Sequence, residues 1–112
     1  MRKNFELIKG DTLAFAVEIA FDEDPVDADE MLFTVKRNAD DEVNLFQKRL
    51  SHGIEKVAKV DNKLYYRVRA SPWDTGSLEA GLYQYDLEIR INGDIFTILN
   101  GLLIVENEIT GF

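Results

Sequence analysis

The most constraining feature of this sequence is a strict alternation of apolar and polar residues in two separate segments. In residues 82–91, Tyr, Leu and Ile occupy the odd positions, and Gln, Asp, Glu and Arg occupy the even positions between them. In residues 13–21 the odd positions are again large and apolar, with Ala or Glu at each even position. With a period of two, successive side chains lie on opposite faces of a strand. In a helix, these apolar residues would instead be distributed around the whole helix surface. Both segments are therefore predicted to be β-strands with one face in the core.

A turn signal directly follows the segment 82–91. Asn92 and Gly93 are the residue types that most readily adopt the positive φ angles of a type I′ hairpin turn. Residues 94–106 are therefore expected to fold back antiparallel to 82–91. Asn100 and Gly101 interrupt the returning strand, and we interpret them as a β-bulge that changes which side chains face inward.

Weaker strand patterns and turn residues fill the rest of the chain. Five further segments are predicted to be strands: 4–9, 31–37, 43–50, 54–60 and 63–70. Asp61 and Asn62 predict a second tight turn, and no segment has a convincing helical period. Short strands without helices between them are typical of a sandwich and not of alternating strand–helix units. The chain 1–112 is thus expected to form a single all-β domain, an antiparallel β-sandwich of about seven or eight strands.

One local pattern narrows this to an immunoglobulin-like β-sandwich. Tyr83 stands at the start of the second-last predicted strand, two residues after Gly81. This is the outline of a tyrosine corner, in which the phenol donates a hydrogen bond to a backbone carbonyl upstream. The alternative is that Tyr83 is only another aromatic residue of the core. Antibody domains carry a Cys two residues after this tyrosine, and Tyr85 occupies that place here.

Composition and charge exclude several classes of function. The 13 Lys and Arg residues and 21 Asp and Glu residues give a net charge of −8, which disfavours binding to nucleic acid. There is no Cys, and hence no disulfide or thiolate site. The N-terminus lacks the apolar stretch of a signal peptide, and no uninterrupted apolar run is long enough to span a membrane. We therefore expect the protein to start in a cytoplasm, without nucleic-acid or membrane partners.

One loop, residues 22–30, concentrates six carboxylates and is the main candidate for a cation site. Oxygen ligands of this kind suit Ca²⁺. The loop has neither a glycine nor the ligand spacing of an EF-hand, so a solvated acidic loop is the other interpretation, and calcium binding stays open. Paired carboxylates also hydrolyse glycosides, but the sequence indicates no cleft that would desolvate one of them.

The single histidine, His52, lies in a predicted turn. A metal site or a catalytic triad needs further ligands or an orienting acid and a nucleophile, and the sequence contains no second His. We interpret His52 as a surface residue. No catalytic, cofactor-binding or metal-binding residue is assigned, no cofactor is expected, and the chain is predicted not to be an enzyme.

Three features are candidates for contacts with other proteins. Trp73 lies outside the predicted strands, where it either caps the core or anchors an interface. Ala14, Ala16 and Ala20 leave one face of their strand flat. A basic stripe suits an acidic partner surface, including another copy's acidic loop, or else forms an ordinary charged edge that opposes aggregation. The stripe consists of Lys56, Lys59, Lys63, Arg67 and Arg69.

Several stretches, taken together and in order, resemble a known family. They are residues 5–12, 31–36, 74–75 with 81–87, 97–101 and 108–110. Their order resembles the N-terminal immunoglobulin-like domain of phage baseplate upper proteins and related small tail proteins of phages and prophages. The resemblance covers nearly the whole chain, and its most distinctive motifs are Gly-Asp-Thr at 10–12 and Gly-x-Tyr-x-Tyr-Asp at 81–86.

The resemblance implies a non-enzymatic structural module that docks a receptor-binding device onto a phage tail or baseplate. The implied partners are other tail or baseplate proteins, and the implied location is the host cytoplasm during assembly and then the virion tail. We also expect several copies to associate, because the last strand has apolar residues on both faces. Members of the family usually continue into coiled-coil or receptor-binding regions, whereas this sequence stops at Phe112, and no docking residue is carried over from the family.

A second class of function stays open beside this one. A carbohydrate- or calcium-binding β-sandwich module would use the acidic loop together with Tyr65, Tyr66 or Trp73 as a binding platform. Calorimetric titration with Ca²⁺ and with glycans separates this class from a docking protein.

Overall fold

A computed structural model describes residues 1–109, and these form eight strands and one short helix. The elements are β1 (Phe5–Ile8), β2 (Leu13–Ala20), β3 (Glu30–Lys36), β4 (Phe46–Leu50), β5 (Gly53–Val60), β6 (Lys63–Ala70), α1 (Pro72–Gly76), β7 (Gly81–Ile91) and β8 (Asp94–Glu106). The all-β prediction is confirmed, and each predicted strand is present with ends shifted by at most three residues. The prediction of a chain without a helix was wrong at α1. The last residue of the motif at 108–110 lies outside the described residues.

The strands form one mixed sheet in the order β1-β8-β7-β3-β4-β5-β6-β2, which folds over on itself into a sandwich. The fold-over lies between β4 and β5, where only two residue pairs join the strands. Strands β1, β8, β7, β3 and β4 make one layer, and β5, β6 and β2 make the other. Phe15 of the second layer packs on Phe33 of the first, with ring centroids 5.5 Å apart.

Two strand pairs depart from the expected antiparallel arrangement. β1 pairs parallel with β8, and β4 pairs parallel with β5. The hairpin signals that predicted antiparallel pairing act only between neighbouring segments joined by a turn. The first and last strands meet far apart in sequence, and the short turn after Leu50 moves the chain from one layer to the other instead of forming a hairpin.

The core is built from the residues that the alternation predicts. In β7 the odd residues from Tyr83 to Ile89 are buried, and in β2 the odd residues point inward while the even residues are exposed. The same period buries Met31, Phe33 and Val35 of β3. Because strands of both layers contribute one apolar face each, the core fills the space between them.

Both predicted turns are present, but the predicted bulge lies elsewhere. Asn92 and Gly93 have φ angles of 51° and 86°, as a type I′ turn requires, and Asp61 has a φ of 54°. The pairing of β7 with β8 stays regular at Asn100 and shifts instead around Ile98. The extra residue in β8 is therefore Ile98, and the prediction of a bulge at Asn100-Gly101 was wrong.

The tyrosine corner is present. The Tyr83 hydroxyl donates a hydrogen bond of 2.6 Å to the carbonyl oxygen of Glu79, four residues upstream. The Arg37 guanidinium lies over the Tyr83 ring, 4.9 Å from its centroid. This corner ties the segment after α1 to the start of β7, which is the role that it has in immunoglobulin-like sandwiches.

Gly101 allows the N-terminal segment to approach β8 closely. A Cβ atom at Gly101 would overlap the carbonyl oxygen of Lys3. That oxygen accepts a hydrogen bond of 2.5 Å from the Tyr85 hydroxyl, and the Lys3 N–H donates to the carbonyl oxygen of Asn100 at 2.8 Å. The glycine is thus required by close backbone contact with the segment that leads into β1.

Candidate docking surfaces

Within residues 1–109, the most exposed aromatic side chain lies on α1. Trp73 is 89% exposed, so it does not cap the core, and the interface alternative is the one that the geometry favours. The indole stands at one end of the sandwich, three residues after Ala70, the last residue of β6. Tryptophan is one of the residue types that are enriched among the hot spots of protein interfaces.

The backbone beneath Trp73 is held by a capping box. The Ser71 hydroxyl accepts a hydrogen bond from the Asp74 N–H at 3.3 Å, and the Asp74 carboxylate accepts one from the Ser71 N–H at 2.9 Å. Pro72 occupies the first helical position, where its fixed φ suits the helix. These groups fix the turn although α1 is only five residues long.

Two contacts join this turn to the rest of the fold. The Lys48 ammonium lies 2.7 Å from the Asp74 carboxylate. Burial acts to raise the pKa of Asp74, but the hydrogen bonds from Lys48 and Ser71 outweigh it and hold the pKa below its usual range. Thr75 is fully buried and its hydroxyl donates to the carbonyl oxygen of Asp11 at 2.6 Å. Trp73 therefore projects from a rigid base, which we name the Trp73 turn (residues 71–76).

The acidic loop lies at the opposite end of the sandwich. β6 begins beside this loop, where the backbone carbonyl oxygen of Asn62 accepts a hydrogen bond of 2.9 Å from the Phe21 N–H. The strand ends at the Trp73 turn. Within the loop, Asp27 pairs with the Lys56 ammonium at 2.9 Å. Glu30 lies at the start of β3 and accepts from the Leu50 N–H at 3.1 Å. These two carboxylates thus bind separate partners, and within residues 1–109 no three side chains of His, Cys, Asp or Glu converge on a metal-sized site.

The proposed binding platform of aromatic residues is not assembled. Tyr66 is buried, and its hydroxyl accepts from the Ala28 N–H at 3.2 Å. Tyr65 lies on the outer face of β6, with its hydroxyl 3.4 Å from the Glu18 carboxylate. Trp73 stands at the other end of the strand, so these side chains share no surface.

The basic stripe is largely neutralised by its neighbours. The Lys63 ammonium lies 2.8 Å from Glu18, and the Arg67 guanidinium lies 3.3 Å from Glu55. The Glu18 carboxylate raises the pKa of Lys63 through a direct hydrogen bond and the attraction of opposite charges. Together with the Lys56–Asp27 pair, three of the five cations of the stripe thus have a carboxylate partner. This favours the charged-edge interpretation of the stripe.

A polar groove that the sequence did not reveal lies on the outer face of the larger layer. It has a volume of about 360 Å³ and spans β8, β7, β3 and β4. Its lining includes Gln84, Asp86 and Glu88 of β7, together with Arg2 and Lys36. Burial raises the pKa of Asp86, and the nearby Glu88 carboxylate raises it further. The alternation in β7 predicts these polar residues on the outer face, but it does not show that flanking strands would partly desolvate them.

His52 is exposed in the turn between β4 and β5, as predicted. Its Nδ1 atom lies 3.5 Å from the carbonyl oxygen of Leu50, at the limit of a hydrogen bond. This position suits a surface residue.

Comparison with known proteins adds no family to this picture. No protein-family model and no curated protein sequence matches the chain. Among residues 1–109, no helix has the length and apolar character needed to cross a membrane.

Proposed function

We propose that this protein is a non-enzymatic structural adaptor of a phage or prophage tail or baseplate, and that it docks onto a neighbouring tail protein through the Trp73 turn. The observation that carries the docking role is a tryptophan that is 89% exposed on a fixed backbone. The assignment to a tail or baseplate is supported by the resemblance of the ordered sequence motifs, on an immunoglobulin-like sandwich.

The rigidity of the Trp73 turn supports a docking role for its side chain. Burying a tryptophan removes a large apolar area from water, and the gain is greatest when little chain entropy is lost on binding. The capping box and the Lys48–Asp74 pair already fix the backbone before any partner binds. An indole presented in this way has the properties of an interface hot spot.

The single tryptophan provides a direct test, because the chain contains one Trp and its fluorescence reports only on this turn. The probes are the purified tail and baseplate proteins encoded by the genes that flank this one. We expect one of them to shift the Trp73 emission to shorter wavelength and to protect it from a soluble quencher. Calorimetry with the same protein then gives the affinity.

Trp73→Ala is the informative variant, with Phe96→Ala as its matched control. Loss of an interface tryptophan costs about tenfold or more in affinity. Phe96 is also an exposed aromatic residue, at 52%, but lies near the hairpin at the other end of the sandwich, so its loss leaves binding unchanged. Equal affinity of Trp73→Ala and the native chain, or no binding to any flanking tail protein, would refute the proposal.

The polar groove favours one second candidate, a carbohydrate-binding module. Carboxylate and amide side chains such as Asp86 and Gln84 form hydrogen bonds with sugar hydroxyls, and the groove is large enough for a small saccharide. Calorimetry against a glycan panel tests this. A heat signal that is lost in Gln84→Ala and kept in Trp73→Ala would favour this candidate over docking, and no heat with any glycan would remove it.

A further inference from the structure

The outer edge of β2 is free within the part of the chain that the structure describes. β2 pairs with β6 through eight consecutive residue pairs, and no other strand pairs with it. The bond from Phe21 N to Asn62 O shows that odd residues of β2 exchange backbone hydrogen bonds with β6. The N–H and C=O groups of the even residues therefore point away from β6, toward the free edge. These even residues are Ala14, Ala16, Glu18 and Ala20, and all four are exposed.

The other free edges are protected in ways that β2 is not. β1, at the opposite end of the sheet order, has only four residues and is flanked by Lys3 and Lys9. β5 pairs with β4 only at Gly53 and Ile54, so the rest of its outer edge is also open, but it has a register shift at Val57, between Lys56 and Ala58. Short length, lysines and bulges are the features that prevent natural edge strands from pairing with other chains. Along its eight residues β2 has no Lys, no Pro and no register shift.

We propose that β2 of one copy pairs antiparallel with β2 of a second copy, about a two-fold axis at Val17. The three-stranded layer β5-β6-β2 then continues into the same layer of the second copy and forms a six-stranded layer. This deepens the proposed function, on which it rests, by stating how copies of the adaptor join. The recognition is β-strand addition, in which backbone hydrogen bonds give the affinity.

The side chains of β2 are complementary to themselves in this register. Val17 faces Val17 of the second copy, and Phe15 faces Ile19, so the half-buried inner row extends with apolar contacts. On the outer row Ala14 faces Ala20. A two-fold axis between the two strands must place inner residues opposite inner residues. The axis therefore lies at a residue position of β2 and not between two neighbouring residues.

The only charged residue of β2, Glu18, selects among the available registers. An axis at Glu18 would place two carboxylates directly opposite each other, which is destabilising. With the axis at Val17, each Glu18 faces Ala16 of the other copy. The neighbour of Ala16 on β6 is Arg67, so the incoming carboxylate approaches a guanidinium across a small side chain. Charge complementarity therefore favours a second copy in this register.

Light scattering after size-exclusion chromatography tests the association. The native chain is expected at twice its 12.8 kDa mass, and Ala16→Pro is expected at 12.8 kDa. The proline removes an edge N–H that the monomer does not use, so the isolated fold tolerates it. Ala16→Thr is the matched control, since it keeps the N–H and stays dimeric. If Ala16→Pro does not fold, as judged by circular dichroism, Ala16→Glu replaces it and is also expected to be monomeric, because its carboxylate would lie directly opposite Glu18 of the second copy.

Cysteine cross-linking tests the register, because the chain has no cysteine of its own. At the axis, Val17 forms a non-hydrogen-bonded pair with Cα atoms about 4.5 Å apart, which a disulfide can join. Val17→Cys is expected to form a covalent dimer in non-reducing gels. Ala16→Cys is not, because it faces Glu18 of the second copy.

Several results would overturn the proposal. These are a native chain that is monomeric at every concentration, an Ala16→Pro variant that stays dimeric, or cross-linking of Ala16→Cys without Val17→Cys. A monomeric native chain whose Ala16→Pro variant loses binding to a flanking tail protein would show that the edge accepts a partner's strand and not a second copy. If only the Trp73 binding test fails, the light-scattering and cross-linking results can still be interpreted, because they require only the purified chain.

Discussion

Replacing Gly101 by Ala should detach the N-terminal segment from β8. The added Cβ would overlap the carbonyl oxygen of Lys3, a backbone atom that cannot move by changing a rotamer. The segment that leads into β1 must therefore shift away. The bonds at risk are the one from the Tyr85 hydroxyl to Lys3 O, at 2.5 Å, and the one from Lys3 N to Asn100 O, at 2.8 Å.

The cost of this change is set mainly by the Tyr85 hydroxyl. Tyr85 is only 4% exposed, and a buried hydroxyl without a partner costs about 1–3 kcal/mol. The lost backbone bonds of the segment contribute about 1 kcal/mol each, but the released residues recover chain entropy that offsets part of this. We expect Gly101→Ala to lower the free energy of unfolding by about 2 kcal/mol.

Urea denaturation and a double-mutant cycle measure this effect. Tyr85→Phe should cost about 1 kcal/mol in the native chain, whereas in Gly101→Ala it should restore part of the lost stability, because it removes the hydroxyl whose acceptor has moved. Amide exchange should show faster exchange at Lys3 in Gly101→Ala. Gly76→Ala is the control, because its Cβ would make only an ordinary contact of 3.8 Å. A loss below about 0.5 kcal/mol, with additive effects of the two substitutions, would refute this explanation of Gly101.

Three further substitutions test single contacts. Tyr83→Phe removes the hydrogen bond to Glu79 and should lower the free energy of unfolding by about 1 kcal/mol in urea denaturation; no change would mean that the corner is not stabilising. Asp74→Asn weakens the contact with Lys48. Because the pKa of Asp74 is held low in the fold, the stabilisation that this carboxylate provides is complete above about pH 4 and is lost as the pH falls through the folded pKa. The difference in free energy of unfolding between the native chain and Asp74→Asn should therefore shrink in acid. A difference that stays constant with pH would contradict this role of Asp74. Burial raises the pKa of Tyr85 to about 12 from its ordinary value near 10, so the neutral phenol stabilises the fold below about pH 10 and this contribution is lost between about pH 10 and 12. Denaturation across this range should show the native chain losing its advantage over Tyr85→Phe.

The strands and their faces were predictable because they depend on a local period. The alternation in 82–91 and 13–21 determines both the strand state and the buried side, and the tertiary structure agrees with it. The turn at Asn92-Gly93 was also predictable, since positive φ angles favour these residue types. The tyrosine corner is a local pattern of the same kind, with its donor and acceptor four residues apart.

Features that depend on distant residues were not predictable in the same way. Gly101 suggested a bulge, because an isolated glycine in a strand has two common causes, a bulge or a close approach of another chain segment. The approaching segment is Lys3, almost a hundred residues earlier, and no local pattern reports it. The partial burial of Asp86 has the same origin, since it arises from strands that flank β7 only in the folded sheet.

The two proposed contact surfaces differ in how the sequence encodes them. Trp73 is conspicuous in the sequence, but the sequence alone does not decide whether it belongs to the core or to an interface. That choice depends on its exposure and on a fixed backbone, which the structure shows. The edge of β2 has no conspicuous residue at all. Its unpaired backbone groups follow from the sheet order, because β1 joins β8 in the other layer instead of pairing with β2. The parallel pairing of β1 with β8, which sequence patterns did not predict, is therefore the feature that leaves the edge of β2 open to another strand.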